Sequence, residues 1–242
     1  RVLFRSEQIV TRMKVGGRLF YIGAGTSGRL GVLDAAECPP TYGVDKGLVV
    51  GIMAGGDNAM FTAQEGAEDS LELAAKDLAY YNLSEKDSVI GLAASGRTPY
   101  VLGGLRYARQ VGALTGTISC VKNAEISEAA DYPIEAVTGA EAIMGSTRMK
   151  AGTAQKLILN MISTSVMIKL GKVYQNYMVD VKPTNKKLVV RSKNMIRTLT
   201  GVDEERAEQL YEASGHNVKK ALVMEIMNVD KETAEGALSK GD

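Results

Sequence analysis

The chain has 242 residues, long enough for one sizeable α/β domain with a small appendage, and its 29 basic and 28 acidic side chains leave a net charge of +1. That balance, without any basic–aromatic stripe, gives no footing for nucleic acid or for an anionic membrane surface, and no apolar run approaches the roughly 18–20 residues of a membrane helix. The only cysteines, Cys38 and Cys120, argue against a disulfide framework and for a cytoplasmic protein; with the single histidine, His216, they cannot make a zinc site of the usual kinds.

The chain begins at Arg1 rather than Met, and no signal peptide is visible at its start. Apolar runs then alternate with helical patterns. Arg18–Ile22 reads as a first strand, followed by a glycine loop and a helix starting near Ser27. Leu48–Met53 is a second strand, ended by Gly55-Gly56. Asp57 to Tyr81 has helical composition with a break. Ser88–Ala93 is a third strand, and a second loop, Ala94 to Pro99, leads into a helix reaching about Val111. Leu114–Cys120 and Tyr132–Val137 complete five strands. Buried strands separated by helices predict an α/β fold, a doubly wound parallel five-stranded sheet with helices on both faces, and the order considered for it is flavodoxin-like. One long helix is predicted from Ser146 to Leu170. After Pro183 the chain reads as four helices, Asn185–Thr198, Asp203–Ala213, Asn217–Met227 and Lys231–Leu238. Asp203 with Arg206, and Asp230 with Thr233, have the look of a cap and a first turn. The expected division is residues 1–182 as the sheet-containing α/β domain and 183–242 as a helical subdomain.

The stretch Gly23-Ala24-Gly25-Thr26-Ser27-Gly28-Arg29-Leu30-Gly31 matches the G-x-G-x-x-G pattern of a dinucleotide loop. Such a loop needs an acid at the end of the second strand to hold a ribose. The candidate, Asp57, follows a Gly-Gly turn and lies well past the usual spacing, which weakens the dinucleotide reading. An echo weakens it further: Thr26-Ser27-Gly28-Arg29 after the first strand returns as Ser95-Gly96-Arg97-Thr98 after the third. In a flavodoxin-like sheet those two strands are neighbours, so both loops open into one crevice. A third hydroxyl-rich helix start is Gly145-Ser146-Thr147-Arg148-Met149-Lys150. Each would offer hydroxyls and backbone N–H groups at a helix N-terminus, which suits a phosphate monoester. The competing reading, that these Ser and Thr are N-caps, stands for any one loop but is weaker for three.

These loops and the strand order resemble the sugar isomerase (SIS) fold, which binds phosphosugars. The likeness sharpens with GAGTSGRLGVLDAAECPPTYG at 23–43, EGAEDS at 65–70, AASGRTPYV at 93–101 and GSTRMKAGTAQKLILNM at 145–161. Together they resemble the N-acetylmuramic acid 6-phosphate etherase family, over nearly the whole chain. Two departures are Ala36, where the family usually has Ser, and the longer N-terminal segment and further C-terminal residues its members carry. The resemblance implies a lyase that removes the D-lactyl ether from carbon 3 of the sugar phosphate by elimination and hydration, in cell-wall amino sugar recycling. It implies no cofactor, no metal and no nucleotide, a homodimer, and two carboxylates: Glu37 as proton donor and Glu68 as the second acid/base group.

The residues alone support these roles unequally. Glu37 precedes Cys38-Pro39-Pro40, so an extended, rigid backbone is expected there; without the resemblance it reads as a surface acid in a tight turn. Glu68 is one of four acids with Glu65, Asp69 and Glu72, and alone reads as part of a solvated face. Thr26, Ser27, Gly28, Arg29, Ser95, Gly96, Arg97, Thr98, Ser146, Thr147 and Lys150 are the candidate phosphate and substrate contacts. Arg29 and Arg97 suit a phosphate, the lactyl carboxylate or a structural ion pair equally, and Lys150 is a similar candidate. The alternatives kept open are a non-catalytic sugar-phosphate-binding regulator, a sugar-phosphate isomerase and, last, a dinucleotide oxidoreductase. His216 lies in a charged helical tail and reads as a surface residue.

Overall fold

Short runs of Val, Ile, Leu and Phe bounded by Gly become strands buried on both faces, because an all-parallel sheet is covered by helices on each side. The computed structural model describes residues 2–62, 64–181, 183 and 185–239. In chain order the first compact unit contains α1 (Val2–Lys14), β1 (Leu19–Gly23), α2 (Gly25–Tyr42), β2 (Val49–Met53), α3 (Leu73–Tyr80), β3 (Ser88–Leu92), α4 (Pro99–Val111), β4 (Leu114–Ser119), α5 (Glu125–Glu128), β5 (Tyr132–Glu135) and α6 (Lys150–Lys169). The strands form one parallel sheet in the order β2-β1-β3-β4-β5, the flavodoxin-like order expected. Gly23 pairs with both Met53 and Leu92, so β1, β2 and β3 end level. The loops that leave them therefore start from one edge.

Alternation along β1 distributes its side chains between two layers. Phe20 and Ile22 pack with Leu78, Tyr100, Val101 and Leu105 of α3 and α4. Tyr21 faces the opposite way, toward α2. The buried residues of α2 are Ser27, Gly28, Gly31, Asp34, Ala35 and Cys38, a stripe at helical spacing. Gly28 is where the helix meets the sheet: a Cβ there would lie 2.7 Å from the Gly23 carbonyl oxygen and 2.8 Å from Met53 Cβ.

Three sequence expectations are corrected. The backbone at Glu37 is helical rather than extended, since α2 runs on through Pro39 and Pro40 to Tyr42. The burial stripe that continues to Cys38 explains why, as packing along the whole helix outweighs a local proline preference at its last turn. The long helix begins at Lys150 rather than Ser146, leaving Ser146 and Thr147 in the preceding turn. Asp57–Tyr81 is mostly not α-helix: it holds two 3₁₀ turns, Asp57–Met60 and Ala67–Asp69, before α3.

The second compact unit comprises Thr41–Val44, which takes in the last two residues of α2, and the chain from Gly171 onward. It contains a short antiparallel hairpin, β6 (Val173–Tyr174) with β7 (Tyr177–Met178), then α7 (Lys186–Thr200), α8 (Glu204–Ala213), α9 (Val218–Met227) and α10 (Lys231–Ser239). Met195, Ile196, Leu210, Tyr211, Val218 and Leu222 are among the residues of its core. Side-chain oxygens of Asn185, Asp203, Asn217 and Asp230 each accept a backbone N–H three residues on. These are N-caps, and they account for the sharp helix starts. His216 sits in the turn after α8 with φ 65° and bonds Glu212 at the surface.

Candidate active site

The first loop leaves β1 at Gly23 and turns into α2 through Gly25, whose φ of 54° an L side chain adopts only with strain. Gly25 and Arg29 line a cavity of about 280 Å³ together with Met53, Ala59, Glu65 and Glu68. Arg29 is spent on structure. Its Nε donates to the Met60 carbonyl at 2.9 Å and its Nη2 to the Ala59 carbonyl at 2.7 Å, tying the 3₁₀ turn to α2. Glu68 lies in the second 3₁₀ turn, exposed, at the wall of this cavity.

Ser27 is buried, and its hydroxyl donates to Gln155 Oε1 at 2.9 Å. One hydroxyl carries one proton. In this arrangement the one proton of the Ser27 hydroxyl is committed to Gln155. Gln155 reaches onward, donating from Nε2 to the Ile118 carbonyl of β4 at 3.5 Å. Thr26 sits beside α6: its Cγ2 would be 3.6 Å from a Cβ built on Gly152.

The second loop begins at Ala94, whose carbonyl accepts Cys120 N–H at 3.0 Å. Gly96 has φ 73°, and a Cβ there would meet Ala124 Cβ at 2.5 Å. Ser95 and Arg97 are exposed. Thr98 is the N-cap residue of α4, yet its side chain makes no capping bond. The plain N-cap reading therefore does not account for this hydroxyl.

The third loop meets the second through Ala94, Cys120 and Ala151, which pack together. Thr147 is exposed and Ser146 half-buried; the Thr147 carbonyl accepts Gly152 N–H at 2.9 Å. Lys150 Nζ donates to the Ala140 carbonyl at 2.7 Å. Sequence reading missed Glu141. Its carboxylate accepts Lys150 N–H at 3.0 Å and Ala151 N–H at 2.9 Å, capping α6 from nine and ten residues away. Those bonds, Ala151 first, hold its carboxyl below the usual range. No sequence pattern marks Glu141 or Gln155, because both act on backbone or side chains far along the chain.

The three loops are thus neighbours at one end of the sheet. Glu37 is not with them. It is exposed on α2, ten residues beyond Ser27, which is about 15 Å along the helix axis. There it lines a separate cavity of about 260 Å³ with Asp34, Lys156 and Asn160. Asp34 is buried. Its Oδ1 accepts from Asn160 Nδ2 at 2.7 Å and from Ser163 Oγ at 3.1 Å, and burial raises its carboxyl pKa despite those bonds. Among the described residues, no three His, Cys, Asp or Glu side chains come together as a metal site.

Comparison with known proteins places the chain. Residues 1–109 match the family model described as the glucokinase regulatory protein N-terminal SIS domain, and residues 175–235 match the C-terminal lid domain of glucokinase regulatory protein. A phosphoheptose isomerase from Francisella tularensis shares the fold with a TM-score of 0.54 at 14% identity, over 69% of this chain and 85% of that one. A phosphoheptose isomerase from Neisseria gonorrhoeae gives 0.51 at 13% identity, over 68% and 84%. Far more similar in sequence is the N-acetylmuramic acid 6-phosphate etherase of Clostridium botulinum (strain Eklund 17B / Type B), 64% identical over 231 residues, covering 96% of this chain and 77% of that protein. The protein of the same name from Exiguobacterium sp. is 58% identical over 98% of this chain and 80% of its own length. With the predicted fold observed and identity at this level, the chain belongs to the N-acetylmuramic acid 6-phosphate etherase family.

Proposed function

We propose that this chain cleaves the D-lactyl ether of N-acetylmuramic acid 6-phosphate, giving N-acetylglucosamine 6-phosphate and D-lactate. The observation that carries the reading is the 64% identity over 96% of the chain to a protein bearing the etherase name. Elimination needs one group to take the carbon-2 proton and another to protonate the departing oxygen. Glu68 is the group for the first task, because its cavity is shared with Gly25 and Arg29 of the first loop. Glu37 is the donor to the lactyl oxygen. Backbone N–H groups around Ser27 and the hydroxyls of Ser95, Thr98 and Thr147 hold the phosphate. Arg97, exposed beside them, is a charged contact for the same group.

The partners in this reading are the sugar phosphate and a second copy of the chain. The roughly 15 Å that separates Glu37 from Ser27 along α2 sets the proposed donor well away from the phosphate loops of its own chain. A homodimer resolves this by letting one copy supply Glu37 to the loops of the other. Leu157, Met161 and Ile168 of α6 and Leu33 of α2 are large apolar side chains left about half exposed, as a subunit contact would require. Light scattering on the purified chain checks the dimer. Cytoplasmic placement fits two free, buried cysteines, and no described helix is long and apolar enough to cross a membrane.

The deciding experiment is incubation with N-acetylmuramic acid 6-phosphate and an assay for D-lactate. Release of lactate in step with loss of substrate supports the etherase. Tight binding of N-acetylglucosamine 6-phosphate with no lactate from the muramic substrate would instead support a sugar-phosphate-binding regulator.

A further inference from the structure

The cavity beside Glu37 holds two polar pairs, one spent and one unspent. Asp34 and Glu37 stand three residues apart on α2, and Lys156 and Asn160 stand four apart on α6, so each pair shares a helix face. Asp34 and Asn160 are bonded to each other at 2.7 Å. Glu37 and Lys156 make no ion pair with any described residue, although they line the same cavity. Leu30 and Leu159 supply apolar wall between them.

We infer that Lys156 is the counter-ion for the lactyl carboxylate and so a specificity-determining residue. The inference rests on the etherase reading and on Glu37 as the donor to the ether oxygen. In the lactyl group that oxygen, a methyl and a carboxylate are all carried on one carbon. A group that protonates the oxygen must therefore have the methyl and the carboxylate within its own cavity. The methyl finds Leu30 and Leu159. The carboxylate needs a cation, and Lys156 is the cation lining that cavity. Arg29 does not serve, because two of its nitrogens are held by the Ala59 and Met60 carbonyls in another cavity. Lys150 is tied to the Ala140 carbonyl. A neutral lactyl amide would fit the same volume but leave Lys156 without its anion, so the site selects the free acid.

The test compares N-acetylmuramic acid 6-phosphate with its lactyl amide, in wild type and in Lys156→Met. A charged hydrogen bond of the usual strength predicts that Lys156→Met loses roughly 10- to 100-fold in kcat/KM on the acid. Activity on the amide stays near the wild-type value, so the preference for the acid collapses. Lys156→Arg recovers most of the preference, and inhibition by N-acetylglucosamine 6-phosphate, which has no lactyl group, is unchanged in all three proteins. An equal loss on acid and amide, or no loss on the acid, overturns the assignment. If wild type releases no lactate from either compound, the etherase reading has failed on its own. Calorimetric binding then decides the role of Lys156: acid bound more tightly than amide in wild type but equally in Lys156→Met supports it, and equal binding in both proteins overturns it.

Discussion

Ser27 donates to Gln155 across 128 residues of sequence, and the bond at 2.9 Å fastens the first turn of α2 to the second turn of α6. Since Gln155 also reaches the Ile118 carbonyl, one amide side chain ties the first loop, the start of α6 and β4 together. Gln155→Ala leaves a buried hydroxyl unsatisfied, which costs roughly 1–3 kcal/mol. At roughly 2–4 °C per kcal/mol for a domain of this size, the expected fall in Tm is several degrees. The loop it steadies is the proposed phosphate cradle, so KM for the phosphosugar should rise with it. A variant with lowered Tm but unchanged KM would show that the bond serves the fold alone.

Arg18 and Asp87 give the first unit a measurable pH dependence. Asp87 is 1% exposed and accepts from Arg18 N–H, Nε and Nη2 and from Ser84 N–H and Oγ. Burial pushes its carboxyl up, but the bonds from Arg18 and Ser84 outweigh it and hold the carboxyl below its ordinary range. A depressed folded value means the stabilisation is present above the unfolded value of about 3.9 and is lost as pH falls through the folded one. Thermal melts should therefore hold level down to about pH 4 on this account and decline below it. Asp87→Asn should lower stability at pH 7 by roughly 2–3 kcal/mol, the worth of hydrogen bonds to a charged group, and flatten the acid decline. A variant with an unaltered acid limb would remove Asp87 as its source.

The sheet was legible because β1 and β3 are short, mainly apolar runs, and both are buried at every position, as strands covered on both faces are. Their expected order brought the two Ser-Gly-Arg loops to one crevice, and the observed adjacency of β1 and β3 agrees with it. The glycines that suggested a dinucleotide have a different cause. Gly28 is fixed by the closeness of α2 to Gly23 and Met53, and Gly31 by Tyr21 and Leu92. Helix α2 was misread at Glu37 because the proline rule is local, whereas the stripe that ends at Cys38 is set by the sheet beneath it. Glu141 and Gln155 left no trace in local pattern, since their partners are backbone and side chains brought near only by folding.

Thr98 offers a separation between cap and ligand. Its hydroxyl makes no capping bond, so Thr98→Val should leave Tm nearly unchanged while weakening phosphosugar binding. Titration with N-acetylglucosamine 6-phosphate reads the loss directly, expected at roughly 10- to 100-fold in Kd for a hydrogen bond to a charged group. A drop in Tm with unchanged Kd would return Thr98 to a structural role.

Glu37→Gln and Glu68→Gln divide the proposed reaction into its halves. Each keeps the size of the side chain and removes its proton-transfer capacity, and each should lower kcat by roughly 10²–10⁴, the usual worth of a positioned acid or base. Both residues are exposed, so the folded state and Tm should be little affected. Phosphosugar binding should survive in both, because the proposal assigns the phosphate to the loops at β1, β3 and α6, which neither substitution touches. The two variants part in what they leave running. Glu37→Gln should still exchange the carbon-2 proton with solvent deuterium while releasing little lactate, since it lacks only the donor to the ether oxygen. Glu68→Gln should lose the exchange and the lactate together, since abstraction comes first. Lactate release at the wild-type rate from Glu37→Gln would leave that residue as a solvated acid at the end of α2. Loss of exchange in Glu37→Gln with exchange retained in Glu68→Gln would reverse the two assignments.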